Sequence, residues 1–306
     1  MYKINVSFRL IVSVWLRIIR IKFLLASIIA ITNGLLYTYL TNTHFNVIDA
    51  ILTYIGVIFL HASVDIFNDY WDYKRGIDTT TKRTRFSGGT GVLPEKKLDP
   101  TIVYKAGLLC MVIGLSIGGY FVLHSGFIIA VILAVATLSI YFYSTTIVNM
   151  GLGEILVAVK GALVVIGTCY VQVNLLDLPI IFLGIIIGTL SSIVLFIASF
   201  PDFDADKEKG RKTLVILLGK DKGSKTFPFL IGFIYSLITI GIIIQYLPIY
   251  TFITFISLPF AIRSSKLLKN YDNVEDLVKA ISNTIIFSRI IGICLILSYL
   301  IAIINK

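Results

Sequence analysis

The sequence predicts an all-α integral membrane protein, a bundle of about nine transmembrane helices, and three observations support this fold class. The 306 residues are 57% hydrophobic and only 14% charged, and their mean hydropathy is strongly positive, which lies outside the usual range of soluble domains. Apolar runs of roughly 20 residues, enough to cross the hydrocarbon core of a bilayer as a helix, recur along the whole chain. The basic residues also cluster on one side of these runs.

Nine apolar segments have the length of a membrane span. The first follows a basic stretch, as in a signal peptide, but it is longer and lacks a small-residue cleavage site, so we expect it to be retained. No linker or low-complexity tract divides the chain, and residues 1–306 are expected to form a single domain. The predicted spans are Ile18–Leu40, Val47–Phe67, Ile102–Leu123, Gly126–Thr145, Leu152–Val173, Leu178–Phe200, Phe227–Tyr246, Thr251–Leu267 and Thr284–Ile304.

The distribution of Lys and Arg predicts the orientation of the bundle. A net charge of +10 would suggest nucleic-acid binding in a soluble protein. Here, however, all the basic residues except Lys160 and Arg289 within spans and the C-terminal Lys306 lie in the N-terminal segment and around the loops after the second, sixth and eighth spans. The loops on the opposite side contain none. Because cytosolic loops are enriched in Lys and Arg, we expect a cytosolic N-terminus, a lipid bilayer as partner and no nucleic acid.

The end of the second span, HASVDIFNDYWDYKRGID, carries acids at helical spacing. Positions i, i+3, i+4 and i+7 share one helix face, and here they are Asp65, Asn68, Asp69 and Asp72. Packed carboxylates repel one another and are costly at a membrane boundary unless they share a cation. Asp78 follows at the predicted helix exit, where it could turn back towards the same cation.

A second acidic segment, SFPDFDADKEKGRKTL, ends the sixth span. Asp202 and Asp206 are four residues apart and share a helix face, whereas Asp204 is rotated by about 200° from Asp202. We therefore expect Asp202 and Asp206 to act with the first segment, and Asp204 to be a secondary or solvated residue. Both segments are predicted on the cytosolic side, so two helix ends offer oxygen ligands to the same compartment.

This set of ligands suits magnesium better than zinc. Mg2+ prefers carboxylates, water and phosphate oxygens, whereas zinc sites favour His and Cys, and the three His and three Cys residues show no such grouping. Cations border both acidic segments, among them Lys82 and Arg211. Carboxylates with neighbouring cations suit a metal together with a multiply charged anion such as diphosphate. Alternatively, the basic residues only reflect the composition of cytosolic loops and pair with the acids.

At these residues the chain resembles the UbiA superfamily of intramembrane aromatic prenyltransferases, which have nine helices and two Asp-rich motifs. NDYWDYKRGID is similar to that family's first motif, and DFDADKEKGRKTLVILLGK is similar to its second. Three further features resemble the branch that prenylates 1,4-dihydroxy-2-naphthoate, which includes the menaquinone enzymes. They are the G-x-D ending at Asp78, SGGTGVLPEKKL from Ser87 and GLGEILVAVKG from Gly151.

The resemblance implies a chemistry for the acids. Magnesium would bind the diphosphate of a polyprenyl donor and would itself be held by Asp69, Asp72, Asp202 and Asp206. Asn68 and Asp78 would assist. The metals and neighbouring cations would stabilise charge on the leaving diphosphate, the cations being Lys74, Arg83, Arg85 and Lys212. The allylic cation that remains would be shielded from water by the bundle and attacked by an electron-rich carbon of an aromatic quinone precursor.

Two more residues are candidates for substrate contact. Lys160 lies inside the fifth span, where an ammonium group is expensive and usually faces a polar cavity. It could snorkel, pair with an acid of another helix, or touch substrate. Tyr143 could guide the allylic cation through its ring, although packing and interfacial anchoring fit equally well. Many relatives carry a Lys four residues after a Tyr that follows the fourth span, whereas Ile147 stands four residues after Tyr143.

Two alternatives stay open from the sequence. A transporter would also place charges in a helix bundle, but the acids sit at helix ends instead of the bilayer midplane, and the outward loops are short. A different acceptor, such as a glycerol phosphate ether lipid, would keep the enzyme class, although SGGTGVLPEKK differs from the Arg-Pro-rich segment of those relatives. The plasma membrane is the expected location, because the chain is compact and shows no transit segment.

Overall fold

The computed structural model describes residues 8–42, 44–80 and 83–306, and the described residues are helical, with no β-strand. Thirteen segments are α-helices: α1 (Phe8–Ile18), α2 (Ile21–Thr41), α3 (Val47–Lys74), α4 (Ile77–Thr80), α5 (Pro100–Ser125), α6 (Phe127–Phe142), α7 (Gly153–Val173), α8 (Leu178–Ala198), α9 (Phe203–Glu208), α10 (Leu214–Leu218), α11 (Lys220–Ile243), α12 (Leu258–Leu268) and α13 (Val274–Ile304). Two further segments are 3-10 helices, Ile147–Met150 and Ile249–Ser257.

Seven of the described helices are long and apolar enough to cross a membrane, namely α2, α3, α5, α7, α8, α11 and α13. The predicted all-α, multi-pass membrane fold is thereby confirmed. Two of the nine predicted spans are not formed as long α-helices. The fourth corresponds to α6, which has 16 residues, and the eighth is a 3-10 helix that continues into α12. Whether these two segments span the bilayer stays a prediction.

Several helix boundaries differ from the predicted spans, among them that of α11, which begins at Lys220 instead of Phe227. The first predicted span is interrupted at Arg20, whose left-handed conformation (φ 46°, ψ 50°) separates α1 from α2. Helix α3 continues beyond the predicted end at Phe67 as far as Lys74, and α13 begins at Val274, well before the predicted Thr284. Apolar runs mark only the part of a helix in lipid, and polar turns beyond it keep the same backbone hydrogen bonds.

Side-chain caps and one glycine define many of the helix ends. Asn46, Asp99, Asp177 and Asn273 each accept a hydrogen bond from a backbone N–H in the first turn of the helix that follows. These caps satisfy donors that have no partner within the helix. Gly126 has a φ of +77° and separates α5 from α6, a conformation that glycine adopts at little cost. The chain therefore reverses there without a longer loop.

Two packed regions contain most of the buried apolar side chains of the described helices, and α3 belongs to the smaller one. The larger core joins α2, α7, α8, α11, α12 and α13 around buried side chains such as Phe196 and Phe287. A smaller core joins α1, α3 and α5 around Ile66 and Val103. The 28 residues of α3 correspond to about 42 Å of helix, more than the roughly 30 Å of a hydrocarbon core. Its last turns, which carry the acids, therefore extend beyond the apolar layer.

Helices α7 and α8 approach each other so closely that glycines face the partner backbone. A Cβ added to Gly188 would lie 2.0 Å from the carbonyl oxygen of Ala158, and one added to Gly161 would lie 2.8 Å from Cα of Gly188. Small residues permit this approach, and close van der Waals packing stabilises helix pairs in a bilayer. The seam between α7 and α8 has no room for a side chain at these positions.

We expect Gly188→Ala to destabilise the protein by about 1–3 kcal/mol, the usual cost of overpacking, because a backbone carbonyl cannot move aside as a side chain can. The matched control is Gly232→Ala in α11, where nothing lies within 4 Å of an added Cβ. Its Tm should stay unchanged or rise, since alanine favours the helix. Thermal unfolding in detergent checks both variants, and equal Tm values would contradict the close packing of α7 and α8.

Candidate active site at the acidic end of the bundle

The last turns of α3 direct the predicted acids into the bundle. Asp65 and Asp69 are buried, with 7% and 0% of their surface exposed. Asp69 accepts hydrogen bonds from the backbone N–H and the hydroxyl of Thr90, at 2.9 and 2.6 Å. Asn68 accepts a hydrogen bond from the hydroxyl of Ser144. The predicted face of α3 is thus formed, and its two central members are fixed by partners from other segments.

A glycine turn adds another carboxylate to this face. Gly76 has a φ of +73° and lets the chain turn from α3 into the short helix α4. Asp78 then packs against Gly89, where an added Cβ would lie 2.0 Å from Asp78 Oδ2. Within the described structure that oxygen is buried and has no hydrogen-bond partner. An unsatisfied buried carboxylate oxygen is costly, so this oxygen is suited to a bound cation.

The second acidic segment reaches the same end of the bundle from α8 and α9. The continuous helix expected for Asp202 and Asp206 is not formed, because Pro201 disfavours helix in the residue before it and Asp202 becomes the N-cap residue of α9. Asp206 is nevertheless buried, with 3% exposed. The side chain of Asp204 is 85% exposed and pairs with Lys220 at 3.1 Å, which agrees with the solvated position expected for it.

Arg211 joins the two acidic segments. Its Nη1 lies 3.2 Å from Asp206 Oδ1, and its Nη2 donates to Asp72. Gly210, at a φ of +77°, turns the chain so that the N–H of Arg211 also donates to the carbonyl of Asp206, at 2.9 Å. The sequence placed Arg211 only among the cations bordering the acids. Its position five residues after Asp206, next to a glycine, was the signal that could have singled it out.

Arg20 is a second cation at the site, and the sequence analysis did not select it. Its Nη2 lies 3.5 Å from Asp69 Oδ1, and the charges of Asp65, Asp72 and Asp78 also act on it. Its Nε is buried and has no hydrogen-bond partner in the part of the chain that the structure describes. The left-handed break between α1 and α2 turns this side chain inward, and no local pattern in the N-terminal basic stretch indicates such a break.

A glycine-rich loop between α4 and α5 closes over the acids. Besides its bonds to Asp69, Thr90 accepts hydrogen bonds at its carbonyl from Arg83 and, at 2.6 Å, from Nε of Arg17. The N–H of Gly88 donates to Asp202 Oδ1 at 3.3 Å. The loop therefore contacts both acidic segments and the N-terminal helix at once.

Residues 21–287 match the family model described as the UbiA prenyltransferase family, a range that contains every acid of the site. The chain belongs to the UbiA prenyltransferase family. The prediction of a prenyltransferase, an enzyme that transfers an alkyl group, is thereby confirmed. The transporter alternative is left without support.

Two curated relatives match most of this UbiA protein. It is 24% identical over 254 residues to 1,4-dihydroxy-2-naphthoate octaprenyltransferase of Bacillus subtilis, with 79% of each chain covered. It is 30% identical over 226 residues to the protein of the same name from Haemophilus influenzae, with 68% of this chain and 70% of the relative covered. The resemblance to the dihydroxynaphthoate branch that the motifs indicated is therefore confirmed.

Solved structures share the fold. The structure of digeranylgeranylglyceryl phosphate synthase matches with a TM-score of 0.64 at 20% identity, covering 94% of this chain and 98% of that one. A UbiA homologue from Archaeoglobus fulgidus bound to DMAPP and Mg2+ matches with a TM-score of 0.59 at 12% identity, covering 95% and 99%. At such identities the likeness establishes the fold of this UbiA protein and not its substrates.

The cations predicted to contact the donor lie around the rim of the UbiA site. Lys74 and Arg85 are exposed and lie over aromatic rings, 5.8 and 5.4 Å from the ring centres of Tyr70 and Phe86. Arg83 is bound to Glu95 as well as to the carbonyl of Thr90. The side chain of Lys212 is exposed, and Lys82 lies outside the described residues. Arg20 and Arg211, instead of these cations, contact the acids directly.

Tyr143 and Lys160 are neighbours, and charges of the acidic cluster act on both. The ammonium of Lys160 lies 5.8 Å from the centre of the Tyr143 ring, and the charge of Asp65 acts on Lys160. The charges of Arg211 and Asp72 act on Tyr143. Lys160 therefore lies near the Tyr143 ring at the end of α6 and within reach of the charge of Asp65 on α3. Its contact with substrate stays a prediction.

The donor set of this site fits magnesium. The guanidinium groups of Arg20 and Arg211, and the charge of Arg75, act on a larger number of carboxylates, those of Asp69, Asp72, Asp78, Asp202 and Asp206. Such a surplus of carboxylate oxygens suits a hard cation that keeps several of its water ligands. Across the described ranges, no three acidic, His or Cys side chains converge as a preformed metal cage. Ions bound here would therefore share the acids with Arg20 and Arg211 and rely on water and phosphate ligands.

Burial raises the pKa of several of these carboxyl groups. Burial raises the pKa of Asp78 to about 8, and the charges of Asp72 and Asp69 add to the effect. Burial likewise raises the pKa of Asp202 to about 7 and that of Asp206 to about 6. A cation bound among these groups would favour their ionised form and release protons.

We expect the cation-free protein to lose stability as the pH rises from about 5 to about 8. The folded state binds the Asp78 proton more tightly than the unfolded chain, whose Asp pKa is about 3.9. For this one group, each pH unit in the interval costs up to about 1.4 kcal/mol. Asp78→Asn should remove the contribution of Asp78 to this loss of stability and raise the Tm at pH 8 in the presence of a chelator.

The control for this experiment is Asp204→Asn, at the exposed position of the same cluster. It should leave the pH dependence of the Tm unchanged. Thermal unfolding between pH 5 and pH 9 measures both variants. A profile for Asp78→Asn that runs parallel to the wild-type profile would contradict the burial of an ionisable carboxyl group at this position.

Proposed function

We propose that this protein catalyses Mg2+-dependent transfer of an isoprenoid chain from a polyprenyl diphosphate to an aromatic quinone precursor of the 1,4-dihydroxy-2-naphthoate class. The observation that carries the proposal is the convergence of both Asp-rich segments at one end of the bundle, joined by Arg211 between Asp72 and Asp206. The names of the B. subtilis and H. influenzae relatives support the acceptor class. The DMAPP and Mg2+ bound by the A. fulgidus homologue support the donor and the metal.

The acids would hold the metal and the donor together. The residues proposed as magnesium ligands are Asp69, Asp72, Asp202 and Asp206. Magnesium, when bound, supplies positive charge that stabilises the leaving diphosphate. Asn68 and Asp78 would position the ligands and the donor phosphates.

The guanidinium groups of Arg20 and Arg211 already face the acids and can donate to phosphate oxygens. The exposed side chains of the rim would meet the donor as it arrives, namely Lys74, Arg83, Arg85 and Lys212. Cations at the rim and within the cluster would thus offset the charge of the diphosphate as its bond to the isoprenoid carbon breaks.

The interior of the bundle would protect the allylic cation. Apolar helices exclude water, which would otherwise capture the cation. The Tyr143 ring lies 5.8 Å from the Lys160 ammonium, the charges of Arg211 and Asp72 act on it, and its π-face can stabilise a passing cation. An apolar isoprenoid tail would lie along the same lipid-like interior.

A glycerol phosphate ether lipid is the alternative acceptor. The likeness to digeranylgeranylglyceryl phosphate synthase is compatible with it. That likeness, at 20% identity, reflects the shared fold. The two named relatives at 24% and 30% identity favour the naphthoate class, as does the SGGTGVLPEKKL segment.

The proposed setting is the plasma membrane, with nine spans, a cytosolic N-terminus and an active site that opens to the cytosol. The one-sided distribution of Lys and Arg supports this orientation. The diphosphate group of the donor and the magnesium ion are both water-soluble, so an opening to the cytosol would admit both.

We expect a single cysteine introduced at Lys222 to react with a membrane-impermeant maleimide only after the cells are opened. A cysteine at Leu175, in the exposed loop between α7 and α8, should react in intact cells. The parent for both variants would have Cys110, Cys169 and Cys294 replaced. Labelling of both positions from the same side, or the reverse pattern, would overturn the proposed orientation.

The test of the function is acceptor-dependent release of inorganic diphosphate. Purified protein, Mg2+ and geranylgeranyl diphosphate should release diphosphate and yield a prenylated product, identified by mass spectrometry, when 1,4-dihydroxy-2-naphthoate is added. Turnover with a prenyl ether of sn-glycerol 1-phosphate, and none with the naphthoate, would favour the ether-lipid alternative. Absence of turnover with donors of several chain lengths would refute the proposed reaction.

In the same assay, Asp69→Asn and Asp202→Asn should each lower the rate by about 100-fold or more, as expected when charge stabilisation of the leaving group is lost. Asp204→Asn should keep the wild-type rate, because that side chain faces solvent. The Tm of each variant in detergent separates loss of chemistry from loss of fold. Normal rates in both buried variants would eliminate the assigned metal ligands.

A further inference from the structure

The Arg211 segment, residues 209–214, is held in place by two side chains from other helices. It carries the guanidinium that lies between Asp72 and Asp206. The turn at Gly210, with a φ of +77°, separates it from α9, so α9 alone does not fix its course. A cation links two acidic segments only where its own backbone is fixed. The contacts of this segment therefore decide where the charge of Arg211 lies.

Arg75, the residue that follows α3, holds the first end of the Arg211 segment. Its Nη2 donates to the carbonyl oxygen of Lys209 and to Oδ1 of Asn149, both at 3.0 Å. Its Nη1 donates to the carbonyl oxygen of Ser144 at 2.5 Å. Three pieces of chain thus meet at one guanidinium, whose donors form a rigid planar fork. Because all three acceptors are uncharged oxygens, the contact depends on the geometry of this fork.

Glu154, in the first turn of α7, holds the other end of the segment. Its Oε1 accepts a hydrogen bond of 2.9 Å from the backbone N–H of Leu214, which begins α10 and has no acceptor within its own helix. Glu154 is 4% exposed, unlike a solvated acid that only favours a helix N-terminus. Between the two ends, the N–H of Lys212 donates to the carbonyl of Val148 at 3.0 Å. The segment is thus held at both ends and in the middle.

The loop between α6 and α7 supports both acidic segments. The hydroxyl of Ser144 donates to Asn68 of the first segment, and the carbonyl of the same residue accepts from Arg75. The side-chain amide of Asn149 donates to the carbonyl of Thr145 at 2.9 Å, which orients its oxygen towards the guanidinium. The two acidic segments are therefore placed relative to one common loop.

We propose that Arg75 and Glu154 are positioning residues, which hold the Arg211 segment at its two ends so that the Arg211 guanidinium lies between the acids. This inference rests on the proposed function, since it assigns how the cation beside the diphosphate is kept in place. Neither residue has to touch substrate for this role. The reaction then depends on the fork of Arg75 and on the acceptor oxygen of Glu154, and not on their charges.

The first measurement is hydrogen–deuterium exchange of the purified protein in detergent, with no donor and no magnesium present. Arg75→Lys keeps the charge but loses the fork, and Glu154→Met removes the acceptor. Both should speed exchange of the amides of residues 211–214 by about tenfold or more, as expected for loss of a hydrogen bond to a charged group. Glu154→Gln retains an acceptor oxygen without the charge and should stay within about threefold of the wild-type exchange rate.

The control for these variants is Glu275→Met, which removes an acid that is 77% exposed at the start of α13. It should leave exchange of residues 211–214 unchanged. The Tm of each variant shows whether faster exchange is confined to the Arg211 segment or reflects unfolding of the whole bundle.

The second measurement is a double-mutant cycle with Arg211→Gln, in which product is quantified by mass spectrometry at saturating donor, acceptor and magnesium. Arg75→Lys should lower kcat by about tenfold or more in the wild-type background, and by less than about twofold when Arg211→Gln is already present. Glu154→Met should follow the same pattern, and Glu154→Gln should keep most of the rate. A residue that only supports the fold would lower the rate by a similar factor in both backgrounds.

Unchanged exchange in Arg75→Lys and Glu154→Met would overturn the inference. So would a full rate for Arg75→Lys, or equal losses for Glu154→Gln and Glu154→Met, since charge would then be the requirement. Equal factors in the two backgrounds of the cycle would also overturn it. Failure of the proposed function gives a different pattern, in which exchange changes as expected but the wild-type protein forms no prenylated product.

Discussion

The Arg211 guanidinium, held between Asp72 and Asp206, is the interaction on which the acidic end of the bundle depends. Carboxylates gathered this closely repel one another, and α3 and α9 are connected only through a long stretch of chain. A cation between the two segments replaces their mutual repulsion by attraction and so links them. The segment around Arg211 is fixed on both sides, because its own N–H donates to the carbonyl of Asp206 and the N–H of Lys212 donates to that of Val148.

The glycine-rich loop spreads the same constraint to the N-terminal helix. Thr90 bonds Asp69 through its N–H and hydroxyl, and its carbonyl accepts from Arg17 and Arg83. Glu95 binds both of these arginines as well. Arg17, Lys97 and Arg83 donate hydrogen bonds to its carboxylate and keep its pKa below the usual range. The loop, α1 and α3 are thus linked by charged hydrogen bonds around one buried aspartate.

The features that the sequence could predict are those determined by nearby residues, and the features that it could not predict depend on residues far apart in the chain. The bilayer requires long apolar helices, so hydropathy located α2, α3 and α13, and the helical period placed Asp65, Asn68 and Asp69 on one face. The inward turn of Arg20 was not predictable, since it depends on a left-handed residue and on an acid far along the chain. Similarly, the family resemblance implied a donor contact for Arg83, whereas in the structure Arg83 is paired with Glu95.

The glycine seam between α7 and α8 bears on how a lipid-borne molecule could reach the interior. Where Gly188 lies against the carbonyl of Ala158, the two backbones touch with no side chain to swing aside. Separating them would forfeit close contacts that lipid tails cannot replace in full. These two helices therefore behave as one rigid wall, and a long-chain substrate diffusing in the bilayer would have to enter through a different face of the bundle.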